Sequence, residues 1–319
     1  MSHAGQTVLV TGATGFVGKA LCAQLAHLGY DVRAAVRQSG SASGMQVDEV
    51  CVGSLGASTD WAAAVTGAAA VVHLAARVHV MDDQASDPLA EFRRVNVQGT
   101  LRLAQQAALA GVRRFVYISS IKALGEATQV GQPYTEESLP QPTDPYGISK
   151  LEAEQGLRDL ALQTGMEVVI VRPPLVYGPG VKANFAALLG AVQRGIPLPL
   201  GAVHNARSLV GLGNLVDFIA LCLAHAKAAN QTFMVSDGQD LSITALIRAM
   251  AQSAGVKARL LPAPQWALTS AARLLGKGDA MQRLCGNLQV DITKARTLLG
   301  WTPPVSVVEG LRLAINTGK

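Results

Sequence analysis

Two hydrophobic periods alternate along the first half of the chain. Thr7 to Val10 is a short β-branched and apolar run; Val17, Leu21, Leu25 and Leu28 then recur at helical spacing, Gly29 stops them, and Val32 to Val36 forms a second apolar run. A short continuous run fits a buried strand and the spaced stripe fits a helix, so this is one βαβ unit. Further strands are expected at Val47 to Val52, Ala70 to Leu74, Arg114 to Ser119 and Glu167 to Val171, separated by helix-length segments. Trp61 to Ala76 reads as a helix, a turn and a buried strand, too short and too interrupted to span a bilayer. Such alternation implies an α/β protein with a parallel sheet covered on both faces.

Composition narrows the class. The chain has 319 residues, 49% hydrophobic and 15% charged, enough for one large core or two smaller ones. The net charge of +5 is spread over isolated residues and short pairs such as Arg93-Arg94 and Arg113-Arg114, so a phosphate-bearing small molecule explains it as well as nucleic acid, and no nucleic-acid or membrane partner is expected. Cys22, Cys51, Cys222 and Cys285 lack the spacing of a zinc or redox site, and the polar start lacks a signal-peptide core. A reducing cytoplasm is the expected compartment. The histidines 3, 27, 73, 204 and 225 lack ligand spacing, so no metal is expected.

Two stretches carry chemistry. Gly12-Ala13-Thr14-Gly15-Phe16-Val17-Gly18 lies between the first strand and the first helix, where glycines let the backbone turn and approach a pyrophosphate seated on the helix N-terminus. Asp144-Pro145-Tyr146-Gly147-Ile148-Ser149-Lys150 opens a helix with proline in its first turn, and places Tyr146 and Lys150 four residues apart on one face. An ammonium beside a phenol favours phenolate and would bring tyrosine toward useful acid–base chemistry.

Together these motifs resemble the extended short-chain dehydrogenase/reductase superfamily, in particular its NAD-dependent epimerase/dehydratase family of nucleotide-sugar enzymes. The resemblance continues through Val116-Tyr117-Ile118-Ser119-Ser120-Ile121-Lys122 and Val95-Asn96-Val97-Gln98-Gly99-Thr100. It also covers Arg172-Pro173-Pro174-Leu175-Val176-Tyr177-Gly178-Pro179-Gly180 and the tail from Leu298 to Val305. It implies a Rossmann-type doubly wound sheet over residues 1–171, rejoined by about 206–235, and a smaller C-terminal α/β substrate lobe over 172–319. It further implies Ser120, Tyr146 and Lys150 as the catalytic set. The cofactor side would comprise the glycine turn, Leu74, Ala75 and Ala76, Asn96 as an inward, hydrogen-bonded support, and Pro173. Asn184, Leu200 in the Gly195 to Gly201 loop, and Arg207 would hold a UDP-sugar, with Arg283 a weaker match, and His79 and Lys122 would lie near the hexose. Family resemblance also implies a homodimer.

The reaction stays open between three kinds. Ile121-Lys122-Ala123 follows Ser120 where related dehydratases carry carboxylates, which disfavours dehydration. Reduction at carbon four of a UDP-linked N-acetyl or deoxy hexose and epimerisation there both fit, and a catalytically silent NADP-binding regulator is a more remote reading. The second strand ends in Val36-Arg37-Gln38 with no acid to bond an adenosine ribose, so Arg37 favours NADP(H) over NAD(H) and tilts the expectation toward a 4-ketoreductase.

Overall fold

A computed structural model describes residues 5–78, 87–274, 276 and 278–316. Its centre is a seven-stranded, wholly parallel sheet in the order β3-β2-β1-β4-β5-β6-β9. These strands are β1 (Thr7–Thr11), β2 (Asp31–Val36), β3 (Asp48–Cys51), β4 (Ala68–His73), β5 (Arg114–Ile118), β6 (Glu167–Arg172) and β9 (Thr232–Met234). Strands that are apolar on both faces need cover on both. One face packs on α1 (Phe16–His27) and on later C-terminal helices, burying Leu21, Leu25, Phe218 and Trp301; the other packs on α2 (Ala62–Val65), α4 (Thr100–Leu109) and α5 (Pro145–Thr164), burying Trp61, Leu103, Phe115 and Leu157.

Between α2 and α4, α3 (Pro88–Phe92) is capped by the Asp87 carboxylate, which accepts from Ala90 N at 3.0 Å, and it runs through a widened π-helical stretch, Arg93–Gly99, into α4. The α5 helix begins as its sequence dictates. Pro145 occupies the first turn, Asp144 Oδ1 accepts from Gly147 N at 2.5 Å, and Gly165 closes the helix in the left-handed region at φ 73°.

After β6 the chain leaves the sheet. β7 (Leu175–Tyr177), α6 (Ala183–Gln193) and β8 (Leu209–Gly211) come next, with β7 and β8 forming a separate parallel pair. Helix α7 (Leu212–Ala224) then returns to cover α1, and β9 pairs with β6. The rest of the chain, α8 (Ile243–Ser253), α9 (Gln265–Leu274), α10 (Gly278–Cys285), α11 (Thr293–Leu299) and α12 (Val307–Asn316), is divided. Ile247, Met250 and Leu311 pack with Phe185 and Leu189 in a second core, whereas Ala295 and Leu299 return to the first.

The two lobes meet at a buried knot. Tyr177 donates to Asp237 Oδ2 at 2.7 Å, while Asp237 Oδ1 accepts from Gly211 N at 2.8 Å and Asn214 Nδ2 at 2.7 Å. Burial pushes the Asp237 carboxyl up, and those three donors hold it back. No helix among the described residues is long and apolar enough to cross a membrane.

Candidate active site

The strand order reverses between β1 and β4, and the glycine turn lies at that switch point, beyond the carboxyl ends of the strands. Gly12 has φ 67°, and a Cβ on it would come within 2.9 Å of Ala75 N in the loop after β4. Gly15 N donates back to Gly12 O at 2.9 Å, and a Cβ on Gly18 would lie 2.1 Å from the same oxygen, so both ends of the turn require glycine. Gly15 caps α1 without a side-chain hydrogen bond, and the first turn holds no acid. Its N–H groups therefore face outward with nothing of the protein's own to neutralise them, which suits a dinucleotide's pyrophosphate.

Around this cradle Thr14 is exposed, Phe16 and Val17 are half-buried, and Leu74, Ala75 and Ala76 are half-buried at the end of β4, where Ala75 N donates to Thr11 Oγ1 at 3.1 Å. Arg37 follows β2 directly and is exposed. Pro173 is buried, and its carbonyl accepts from Ile121 N at 3.0 Å, pinning the start of the turn after Ser120.

Ser120 lies two residues past the end of β5 and caps the short 3₁₀ turn Ile121–Ala123, its Oγ accepting from Lys122 N at 3.2 Å. The Tyr146 side chain comes close to it from the first turn of α5, near enough for the serine hydroxyl to favour the phenolate. Burial pushes Tyr146 up to about 12; the Ser120 hydroxyl opposes this and the charge of Asp144 adds to it. Lys150 is turned inward rather than onto the phenol oxygen. It is 2% exposed, donates to Ile118 O at 2.8 Å, and lies 4.5 Å above the Tyr117 ring but 5.9 Å from the Tyr146 ring centroid. Desolvation lowers it to about 7, against the pull of Glu154. The expected lowering of Tyr146 by its lysine is not found: desolvation raises the half-buried phenol, and Lys150 is itself lowered by burial.

Asn96 behaves as a brace. It is 1% exposed, its Oδ1 accepts from Arg77 N at 2.7 Å, and its Nδ2 donates to Arg77 O and Ser149 Oγ, each at 3.0 Å. All its polar capacity is spent tying the loop after β4 to α5. Phe92 packs edge-on against Tyr146 with centroids 6.1 Å apart. Lys122 lies in a half-buried ion cluster, bonded to Asp144 Oδ2 and, at 3.1 Å, to Glu126 Oε1. Burial pushes the Asp144 carboxyl up, but bonds from Lys122 and the Gly147 amide outweigh it and hold the group below the ordinary carboxylate range.

Two supporting groups, Glu154 and His73, were not singled out from sequence. Glu154, fully buried one turn after Lys150, accepts from Ser119 Oγ at 2.6 Å and pairs with Arg172 through contacts of 2.9 and 2.6 Å. The spacing of four from Lys150 was the available signal. His73, also fully buried, lies between Thr11 Oγ1 at 2.7 Å and Thr100 Oγ1 at 2.9 Å and stacks on Tyr117, and desolvation, aided by the charge of Lys150, drops it to about 3.

The substrate-lobe candidates are more scattered. Asn184 is exposed at the start of α6, next to Ala183, whose φ of 56° marks a strained entry to that helix. Leu200 is 6% exposed and belongs to the second core, and its carbonyl accepts from Thr244 Oγ1. Arg207 is half-buried, with Nη1 bonded to Gly286 O at 3.0 Å, and desolvation lowers its pKa. His79 and the Arg283 side chain lie outside the described residues. Among the described residues no group of three or more His, Cys, Asp and Glu could hold a metal ion.

The same arrangement is found in known proteins. The model of the NAD dependent epimerase/dehydratase family matches residues 8–236. The UDP-glucose 4-epimerase of Vibrio cholerae is 48% identical over 309 residues, 96% of this chain and 94% of the relative. The crystal structure of UDP-glucose 4-epimerase from Thermotoga maritima with UDP-glucose superposes with a TM-score of 0.77 at 26% identity, covering 98% of both chains. MoeE5 in complex with UDP-glucose and NAD gives the same score, identity and coverage. With the family model matched over residues 8–236 and a relative 48% identical along nearly the whole chain, the chain is an enzyme that belongs to the NAD-dependent epimerase/dehydratase family.

Proposed function

We propose that this enzyme moves hydride at carbon four of a UDP-linked hexose, with epimerisation at that carbon as the leading outcome. The observation that carries the chemistry is the convergence of Ser120, at the turn after β5, and Tyr146 and Lys150, in the first turns of α5, beside the glycine turn. Nucleotide-sugar specificity and the epimerase outcome draw their support from the 48% identical relative. A nicotinamide, when bound, supplies the acceptor and donor of hydride.

The chain's own residues do the rest. The first-turn amides of α1 hold the pyrophosphate and the loop Leu74 to Ala76 walls the cleft. Ser120 orients the oxygen on carbon four, and Tyr146 exchanges the proton of that hydroxyl. Lys150 and Asn96 fix the first turns of α5 from below, so the phenol has one place to be. Arg207, with its guanidinium fork, is the group best suited to the diphosphate.

A 4-ketoreductase is the second reading, favoured by Arg37. An exposed guanidinium at the end of β2, with no acid there, suits the extra phosphate of NADP(H), a cofactor exchanged at each turnover. Tyr146 held as a phenol is also a ready proton donor to a ketone. One experiment separates the readings. Interconversion of UDP-glucose and UDP-galactose without net nicotinamide consumption establishes the epimerase, and stoichiometric NADPH oxidation with UDP-4-ketohexoses establishes the reductase. Turnover retained in Tyr146→Phe would overturn both, and the absence of any turnover by wild type with cofactor binding intact would point to a regulator.

A further inference from the structure

The basic residues are scattered along the chain, but their surplus over acids falls within one stretch of sequence. Between residues 243 and 285 six lysines and arginines (Arg248, Lys257, Arg259, Arg273, Lys277 and Arg283) meet a single acid, Asp279, a surplus of five. The whole chain has 27 basic and 22 acidic residues, also a surplus of five, so everything outside this stretch is balanced.

The same stretch exposes large apolar side chains. From Lys257 to Leu261 exposure alternates as in an extended chain, with Lys257, Arg259 and Leu261 outward and Ala258 and Leu260 turned in. Pro262 and Pro264 continue on the surface into α9. On that helix Trp266, Ser270, Arg273 and Leu274 share the exposed face, while Leu268 and Ala272 are buried on the opposite one. Trp266 is 73% exposed, Leu274 89% and Leu261 54%. A soluble surface seldom leaves tryptophan and leucines open beside arginines without a use for them.

We propose that this ridge, from Lys257 to Leu274, docks the enzyme on an anionic phospholipid surface. Trp266 and Leu274 are exposed beside Arg273 on α9, with Leu261, Lys257 and Arg259 exposed on the segment leading into it, so apolar tips can enter the acyl boundary while the neighbouring cations meet phosphates. Charge argues for lipid over a second copy. Symmetric self-pairing would bring together two ridges that each carry Lys257, Arg259 and Arg273 and no acid, whereas an anionic bilayer complements them. No membrane-spanning helix is needed for such contact.

Fluorescence makes the test clean, because the chain has three tryptophans and the other two, Trp61 and Trp301, are only 1% and 4% exposed. Full-length protein is mixed with vesicles of phosphatidylcholine, with and without phosphatidylglycerol. The expected result is co-sedimentation with the anionic vesicles alone, loss of it at high salt, a blue shift of emission, and quenching of Trp266 by brominated lipid. Arg259→Gln and Arg273→Gln should each lower partitioning about fivefold, and Trp266→Ser with Leu274→Ser should abolish it at unchanged melting temperature. Should the double variant fold poorly, quenching of the wild type decides alone. No sedimentation or quenching at low salt overturns the proposal. So does self-association without lipid that Trp266→Ser removes, which would make the ridge a contact between copies.

Discussion

The Ser119 hydroxyl donates to Glu154 Oε1 at 2.6 Å, so the neighbour of Ser120 is tied to the helix that carries Tyr146 and Lys150. Because Arg172 grips the same carboxylate from the end of β6, one buried ion pair sets the relative height of strand, helix and the Pro173 turn. Replacing Glu154 by Gln should therefore destabilise the enzyme by about 3–5 kcal/mol, since it strands a buried guanidinium. Ser119→Ala should cost only about 1 kcal/mol. Urea unfolding of the two variants checks the ranking, and equal effects would contradict it.

The glycine turn makes a sharper prediction. Gly18→Ala puts a methyl 2.1 Å from Gly12 O, a backbone atom that cannot step aside, so α1 must tilt away from β1. Overpacking of this kind costs about 1–3 kcal/mol, and nicotinamide binding should fall at least tenfold. Gly213→Ala, in the first turn of α7 with open space around it, should leave both properties intact. Thermal melts and fluorescence titration with NADH read the two outcomes.

Tyr146→Phe keeps the ring against Phe92 and removes the hydroxyl beside Ser120. Turnover should drop by about 10²–10⁴ with little change in cofactor affinity. Single-turnover absorbance at 340 nm with the variant and wild type makes the comparison, and a fall in cofactor binding of the same size would assign Tyr146 to binding instead.

Stability should depend on pH in two windows. Lys150 is lowered from 10.5 to about 7 in the folded state, so between those values the unfolded chain binds more protons and stability rises with pH. His73, lowered from 6.5 to about 3, makes stability fall as pH drops through that range, because the buried imidazole must remain neutral to stay in place. Tyr146 acts in the opposite sense only above pH 10, where the unfolded phenol releases its proton first. Between the Lys150 value of about 7 and the onset of thiol ionisation near 9 the urea midpoint should climb with pH, and Lys150→Met should flatten that rise.

Arg37→Asp should shift cofactor preference from NADPH toward NADH, because a carboxylate at the end of β2 bonds the ribose hydroxyls and repels a phosphate. The ratio of the two dissociation constants is the measurement. An unchanged ratio would remove the main support for the reductase reading.

How much of this could be read from the chain differs by element. The βαβ units were legible because continuous apolar runs and a four-residue stripe leave few alternatives: β2 begins within a residue of the expected position and α1 carries the expected Leu21 and Leu25. Ser120, Tyr146 and Lys150 were legible through local spacing. The direction of the Lys150 ammonium was not, since it depends on Ile118 O and the Tyr117 ring, thirty or so residues away. The burial of Leu200 was not legible for a related reason: whether that leucine packs into the core is decided by Thr244 and α8, more than forty residues on. The β7–β8 pair joins segments 30 residues apart that carry no periodic signal of their own.

The return of the chain to its first lobe constrains how the enzyme can be made. β6 has its outer neighbour only once β9 is laid down, and α1 keeps an apolar flank bare until α7 covers it. A polypeptide cut after Arg172 would therefore expose an open parallel edge and a hydrophobic helix face, the combination that promotes aggregation. During synthesis the seven-stranded sheet must wait, incomplete, until Met234 has emerged. Phe185 and Leu189 of the second core are already out by then, so the two cores are committed to each other before either is finished.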